Sequence, residues 1–117
     1  MKRLWIAIVV LTCATVGHAG KAEAFTFLTG AELLETCESD SVTNQSVCTG
    51  FLMGINDITQ AYDTWGDLSK EFCIPVGVGT SQLEKVVIKG LNERPEKLHL
   101  TASSQVVIVF KKAFPCD

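Results

Sequence analysis

The spacing of apolar side chains in the first part of the chain after residue 28 predicts a helix. Apolar residues recur three positions apart between Ala31 and Cys37, and acidic residues lie between them. Thr29 precedes Glu32 by three positions, which is the form of a capping box: the threonine oxygen accepts from one free amide and the glutamate reaches back to another. We therefore predict a first helix over residues 30–38.

A second, longer helix is predicted over residues 45–65, with Asn44 as its N-cap after a polar turn. Its apolar stripe consists of Val47, Phe51, Ile55, Ile58 and Tyr62. A different face carries small or short side chains at steps of four, three and four: Gly50, Gly54, Asp57 and Ala61. Glycine costs about 1 kcal/mol in a helix interior, so two on one face indicate close packing. The partner is either another helix of the chain or a second copy in a homodimer.

Two further helices are predicted nearer the C-terminus. Leu83, Val86, Val87, Gly90 and Leu91 follow the helical period. Ser81 and Glu84 have the form of a second capping box, and the helix should end before Pro95, since proline disfavours helical geometry in the residue before it.

The last predicted helix runs from its cap at Thr101 to Phe114. Its inner side carries Ala102, Val106, Val109, Phe110 and Ala113. Residues 106–110 are also rich in branched and aromatic side chains, so a strand is the alternative there. Taken together, the pattern predicts an all-α fold, a small four-helix bundle with loops at 66–80 and 94–100.

The N-terminal 24 residues have the layout of a cleavable export signal. Lys2 and Arg3 precede an apolar run over residues 4–15, and small residues lead to Ala24, with a rival cleavage site at Ala19. The run is shorter than the ~20 residues that span a bilayer, which argues against a membrane anchor. We predict a signal peptide at 1–24, a single domain at 25–117, and export to the periplasm with no membrane attachment after cleavage.

Four cysteines follow the leader: Cys37, Cys48, Cys73 and Cys116. Four cysteines allow three pairings. We favour Cys37 with Cys48, which closes a short polar turn, and Cys73 with Cys116, which ties the middle of the chain to its end. A zinc site is the alternative, but the domain lacks a Cys-x-x-Cys pair and retains only His99. We expect no metal and no other cofactor.

The net charge of the domain limits the classes of molecule that it is expected to bind. Four of the 10 basic and 13 acidic residues lie in the leader: Lys2, Arg3, Lys21 and Glu23. The remaining domain therefore carries 7 basic and 12 acidic residues, a net charge of −5. Nucleic-acid binding needs a basic face, so this balance argues against it and leaves open a basic protein partner.

Candidate catalytic groups are scarce. A hydrolase needs a nucleophile with a base and an orienting partner, yet the domain has one histidine, His99, and its cysteines are expected to be paired. The number of carboxylates alone leaves a glycosidase open, but a domain of this size rarely offers a deep enough cleft. We predict that the protein is not an enzyme.

An ordered series of motifs runs through nearly the whole domain. It comprises Ala31-Glu32-Leu33-Leu34 with Cys37, Cys48-Thr49-Gly50-Phe51 with Gly54 and Asp57, Phe72-Cys73-Ile74-Pro75, Gln82-Leu83 with Val86-Val87, Arg94-Pro95-Glu96 with His99, and Ala113-Phe114-Pro115-Cys116. This series resembles the type VI secretion amidase immunity proteins, the Tai or Rap-type periplasmic family. The resemblance implies a helical, disulfide-bonded domain, often a homodimer, that binds a peptidoglycan-degrading amidase toxin and occludes its cleft.

The resemblance also implies that the third helix and the loop after it cover the toxin. The corresponding residues are Lys85, Lys89, Asn92, Glu93, Arg94, Glu96, Lys97 and His99. Pro95, Glu96 and His99 belong to the shared signature, so loop geometry explains them as well as partner contact does. Two other functions remain open, a small periplasmic chaperone of the acid-stress type and an adaptor domain without a toxin partner.

Overall fold

The structure is a computed structural model that describes residues 28–117. Four α-helices make up most of this range. They are α1 (Gly30–Glu38), α2 (Val42–Trp65), α3 (Thr80–Asn92) and α4 (Ala102–Ala113), with a turn of 3-10 helix at Pro95–Lys97. Over this range the only extended pairing is one bridge between Thr29 and Thr101. The all-α expectation is confirmed, and the strand alternative at 106–110 is wrong. The predicted leader and its cleavage site lie outside the described residues.

The start of α1 follows the predicted capping box. The Thr29 hydroxyl oxygen accepts from the Glu32 amide at 3.3 Å, and a Glu32 carboxylate oxygen accepts from the Thr29 amide at 2.7 Å. That carboxylate also accepts from the Thr29 hydroxyl at 2.9 Å. The backbone and side-chain hydrogen bonds from Thr29 hold the pKa of Glu32 below its ordinary value of 4.5, because both favour the charged carboxylate.

The loop before α4 satisfies the two remaining amides at the start of α1. The Gly30 amide donates to the Leu100 carbonyl and the Ala31 amide to the Leu98 carbonyl, each at 2.9 Å. A Cβ at Gly30 would lie 3.2 Å from the Leu98 carbonyl oxygen, so this close approach leaves little room for a side chain. The loop is thereby attached to α1 through its backbone.

The core takes one stripe from each helix together with one aromatic residue from the 66–79 loop. Its buried apolar residues are Leu33, Leu34, Cys37, Cys48, Leu52, Phe72, Leu83, Val87, Leu91, Ala102, Val106, Val109 and Phe110. The stripes predicted for α3 and α4 are largely confirmed. Ala113, predicted to face inward, is exposed instead because it ends α4.

The predicted stripe of α2 is confirmed only in part: Phe51 and Ile55 are half-buried and pack against the core, but the fully buried residues lie elsewhere. Val47, Ile58 and Tyr62 are 47%, 44% and 39% exposed, whereas Cys48 and Leu52 are buried. No α2 residue after Leu52 is buried. At about 1.5 Å per residue the 24-residue α2 is about 36 Å long, roughly twice the length of α3 or α4, so its C-terminal half extends past them.

Two predicted helix starts are wrong. Helix α2 begins three residues early, at Val42 after Ser41, and Asn44 lies inside it, donating through Nδ2 to the Ser39 hydroxyl oxygen at 3.0 Å. The turn covers only residues 39–41, and within it the Ser39 hydroxyl oxygen also accepts from the Ser41 amide at 3.2 Å.

Helix α3 begins at Thr80 after Gly79 and has no side-chain cap. Ser81 and Glu84 form no capping box, because the Glu84 carboxylate accepts from the Thr49 hydroxyl of α2 instead. At α4, Thr101 occupies the predicted N-cap position, but its hydroxyl pairs with the Ser104 hydroxyl at 2.7 Å.

Two disulfides close the fold with the favoured pairing. Cys37 is bonded to Cys48 and Cys73 to Cys116, with Cα atoms 5.1 and 5.0 Å apart. Beside the second bond, the Phe72 ring is fully buried with its centroid 5.2 Å from that of Phe110. The Cys73 amide donates to the Phe114 carbonyl at 2.8 Å. The middle of the 66–79 loop is therefore held against the end of α4.

Candidate partner-binding surface

The solvent face of α3 brings together four of the residues that the resemblance singled out. Lys85, Lys89, Asn92 and Glu93 are all exposed and lie opposite the buried stripe of Leu83, Val87 and Leu91. Spacings of four, seven and eight residues from Lys85 keep them on one side of a helix. The arrangement presents two cations, a carboxylate and an amide to the surroundings.

Asn92 and Glu93 connect this face to the neighbouring helices on either side. Asn92 Nδ2 donates to a Glu38 carboxylate oxygen of α1 at 3.0 Å. Glu93 Oε2 lies 3.3 Å from Lys112 Nζ of α4, and Glu93 Oε1 lies 4.0 Å from Lys89 Nζ. Exposed pairs of this kind contribute about 0–1 kcal/mol, so they arrange charges more than they stabilise the fold.

The loop after α3 presents three further predicted residues to solvent. Glu96, Lys97 and His99 are exposed, and their side chains make no hydrogen bond or ion pair with any other described residue. The backbone shapes the loop: the Lys97 amide donates to the Arg94 carbonyl and the Leu100 amide to the Lys97 carbonyl, each at 3.0 Å. These three side chains are therefore available for contact.

Arg94 is different from the other predicted residues because it is partly buried. Its Nη1 atom is inaccessible to solvent and has no hydrogen-bond partner among the residues described. Its backbone lies between α3 and the 3-10 turn, with φ −133° and ψ 55°, and the Arg94 amide donates to the Leu91 carbonyl at 3.1 Å. A guanidinium carries hydrogen-bond donors and no acceptor, so this buried donor is unsatisfied within the domain as described.

Arg94 lines a groove of about 260 Å³ between α3 and α4. We call it the α3–α4 groove; its lining residues are Val86, Lys89, Gly90, Glu93, Arg94, Ile108, Val109, Lys112 and Ala113. Sequence reasoning missed the contributions of α4. The sequence contains one indication that α4 contributes to this groove: Ile108 is apolar yet lies off the predicted inner stripe of that helix.

The two glycines of the small-residue face of α2 meet no other described helix. A Cβ atom built at Gly50 or Gly54 would meet no described atom within 4 Å, and Asp57 is exposed while Ala61 is half-buried. Packing of these glycines against another helix of the chain, one of the two expectations, is therefore not observed within residues 28–117. A homodimer through this face remains a prediction.

The described residues offer little for binding a metal ion. All four cysteines are in disulfides, so the alternative of a zinc site built on them is wrong. Across residues 28–117 no group of three or more histidine, cysteine, aspartate or glutamate side chains is placed to hold a metal ion. None of the helices in that range combines the length and apolarity needed to cross a bilayer.

Comparison with protein-family models places these features in a known context. The model of the Rap1a immunity proteins matches residues 29–116, from the N-cap of α1 to the last cysteine. The chain belongs to the Rap1a immunity protein family. The match includes all four helices and both disulfides, and it agrees with the resemblance seen in the motifs. No curated protein and no solved structure matches the chain.

Proposed function

We propose that this Rap1a family member is a periplasmic immunity protein that binds a peptidoglycan-degrading amidase delivered by type VI secretion and occludes its cleft. The observation that carries the proposal is the family match over residues 29–116, which includes the whole helical domain. The two disulfides support export, because such bonds persist in oxidising compartments such as the periplasm. The predicted leader at residues 1–24 would direct that export.

Occlusion requires a surface and no reactive group. The solvent face of α3 and the loop after it supply this surface, since Lys85, Lys97 and His99 are exposed and make no side-chain hydrogen bond or ion pair within the described chain. A few buried anchors dominate the affinity of most protein interfaces, while exposed charges mainly set the association rate. We propose that α3 and this loop carry both kinds of residue.

The test uses the oxidised domain, residues 25–117, and any amidase encoded beside its gene. We expect a tight complex, loss of peptidoglycan hydrolysis by the amidase when the domain is added, and no hydrolysis by the domain alone. Calorimetry gives the affinity, and release of peptidoglycan fragments gives the activity. Absence of binding and inhibition would contradict the proposal; suppression of client aggregation at low pH in that case would favour the chaperone alternative.

A further inference from the structure

We propose that the α3–α4 groove receives an apolar side chain of the partner together with a neighbouring carboxylate, which pairs with Arg94. The occupant is an exposed segment of a partner protein in which an apolar residue adjoins an aspartate or glutamate. This inference rests on the proposed function in one respect only, which is that the partner is the amidase toxin.

The first support is the apolar character and size of the groove. Gly90 brings α3 close to α4, since a Cβ there would lie 2.5 Å from a Val109 methyl carbon. Val86 and Ile108 add apolar surface, and Ile108 is 43% exposed. A volume of about 260 Å³ lies below the range of roughly 300–1,000 Å³ typical of small-molecule pockets. It suits one or two side chains of a protein better than a cofactor.

The second support is the charge around the groove. Lys89, Lys112 and Arg94 oppose the single carboxylate of Glu93, a local net charge of +2 in a domain whose total is −5. Glu93 already contacts both lysines, through different carboxylate oxygens. The arginine is left without an anion.

The third support is the unsatisfied donor of Arg94. A buried donor without a partner is costly, and the cost is greater for a charged group. Nη1 is closed to solvent in this conformation, so a carboxylate in the groove reaches the guanidinium only when the Arg94 side chain shifts, and the two groups then match in bidentate geometry. Apolar surface beside an unpaired arginine therefore selects an apolar residue adjoining a carboxylate.

The first experiment tests this chemistry without the toxin. Sodium 4-methylpentanoate carries a branched apolar chain and a carboxylate, and 4-methylpentanamide is its neutral control. We expect the carboxylate to shift the amide resonances of Gly90, Arg94 and Ala113 in ¹⁵N-labelled domain, with an affinity about ten-fold or more above that of the amide. Equal binding of both probes, binding elsewhere, or no binding would overturn the inference.

Two variants sharpen this measurement. Arg94→Gln should abolish the preference for the carboxylate probe. Ile108→Asp places a competing charge at the groove from an exposed position and should abolish binding of that probe while leaving the fold intact, as judged by circular dichroism. A preference unchanged in both variants would overturn the inference even if one of them proved unstable.

The second experiment uses the amidase. Arg94→Gln and Ile108→Asp should each weaken the complex about ten-fold or more, mainly through faster dissociation, whereas Lys70→Gln, on the 66–79 loop and outside the groove lining, should not. If the wild type binds and both groove variants bind equally well, the groove inference is wrong and the proposed function stands. If the carboxylate probe binds the groove but the amidase does not bind the domain, the proposed function fails and the groove chemistry is supported.

Discussion

Thr29 and Glu32 determine where the first helix begins, and their contact links folding to pH. Hydrogen bonds from Thr29 hold the pKa of Glu32 below its ordinary value of 4.5. A carboxyl whose pKa is lower in the folded state stabilises the fold above its unfolded pKa, and this contribution is lost as the pH falls through the folded pKa.

We therefore expect Glu32→Gln to lower the free energy of unfolding at pH 7 and to reduce its decline as the pH falls below about 4.5. Urea unfolding at a series of pH values measures this effect. Glu35→Gln is the control, because Glu35 is exposed on the same helix and its side chain makes no hydrogen bond or ion pair in the described structure. An identical pH dependence in the two variants would contradict the prediction.

The two disulfides differ in the length of chain that they close, 11 residues for Cys37–Cys48 and 43 for Cys73–Cys116. On the loop-entropy model their removal costs about 3 and about 4 kcal/mol. We expect the Cys73→Ala/Cys116→Ala variant to show the larger rise in the urea m-value, because its unfolded state expands more. Equal m-values in the two double variants would contradict this, because they would show that the longer crosslink restricts the unfolded chain no more than the shorter one does.

At the scale of elements, two helical glycines have opposite surroundings. Gly90 faces Val109 across the contact of α3 with α4, whereas Gly54 faces open space. We expect Gly90→Ala to destabilise the domain by about 1–3 kcal/mol through overpacking against a stiff, buried valine. Gly54→Ala should stabilise the monomer by about 0.5–1 kcal/mol, because alanine loses less backbone entropy in a helix.

Urea unfolding of both variants checks this pair of predictions, and similar changes in both would contradict it.

The Gly54 position also tests the predicted homodimer. Gly54→Leu should lower the dimer fraction in sedimentation experiments if the small-residue face of α2 is the seam. Asp63→Leu, on the other side of α2, is its control. A dimer that survives Gly54→Leu unchanged would place the seam elsewhere.

At the scale of the whole molecule, the proposed function depends on local basic groups in an acidic domain. Lys85 and Lys97 are exposed and make no side-chain hydrogen bond or ion pair within the described residues. We expect Lys85→Glu and Lys97→Glu to weaken binding of the amidase, mostly by slowing association at low salt, while the free energy of unfolding changes by less than about 0.5 kcal/mol.

Stopped-flow association and urea unfolding measure these two effects separately. Lys70→Glu makes the same charge change away from α3 and should leave association much closer to that of the wild type. A parallel loss of stability and binding would show that these lysines belong to the scaffold.

The sequence by itself determined the capping box of α1, indicated the helical class and most of the inner stripes of α3 and α4, and favoured, among three possible disulfide pairings, the one that the structure has. These features depend on residues close in the chain, on periodicity, or on which loops a crosslink can close. The tertiary structure alone decided that Cys48 and Leu52 are the buried side of α2, that Glu84 bonds Thr49 instead of capping α3, and that Gly50 and Gly54 are uncovered. The α3–α4 groove likewise exists only because these two helices pack side by side. Each of these features depends on which helices lie side by side and how far each helix extends. The local spacing of residues in the sequence does not specify either.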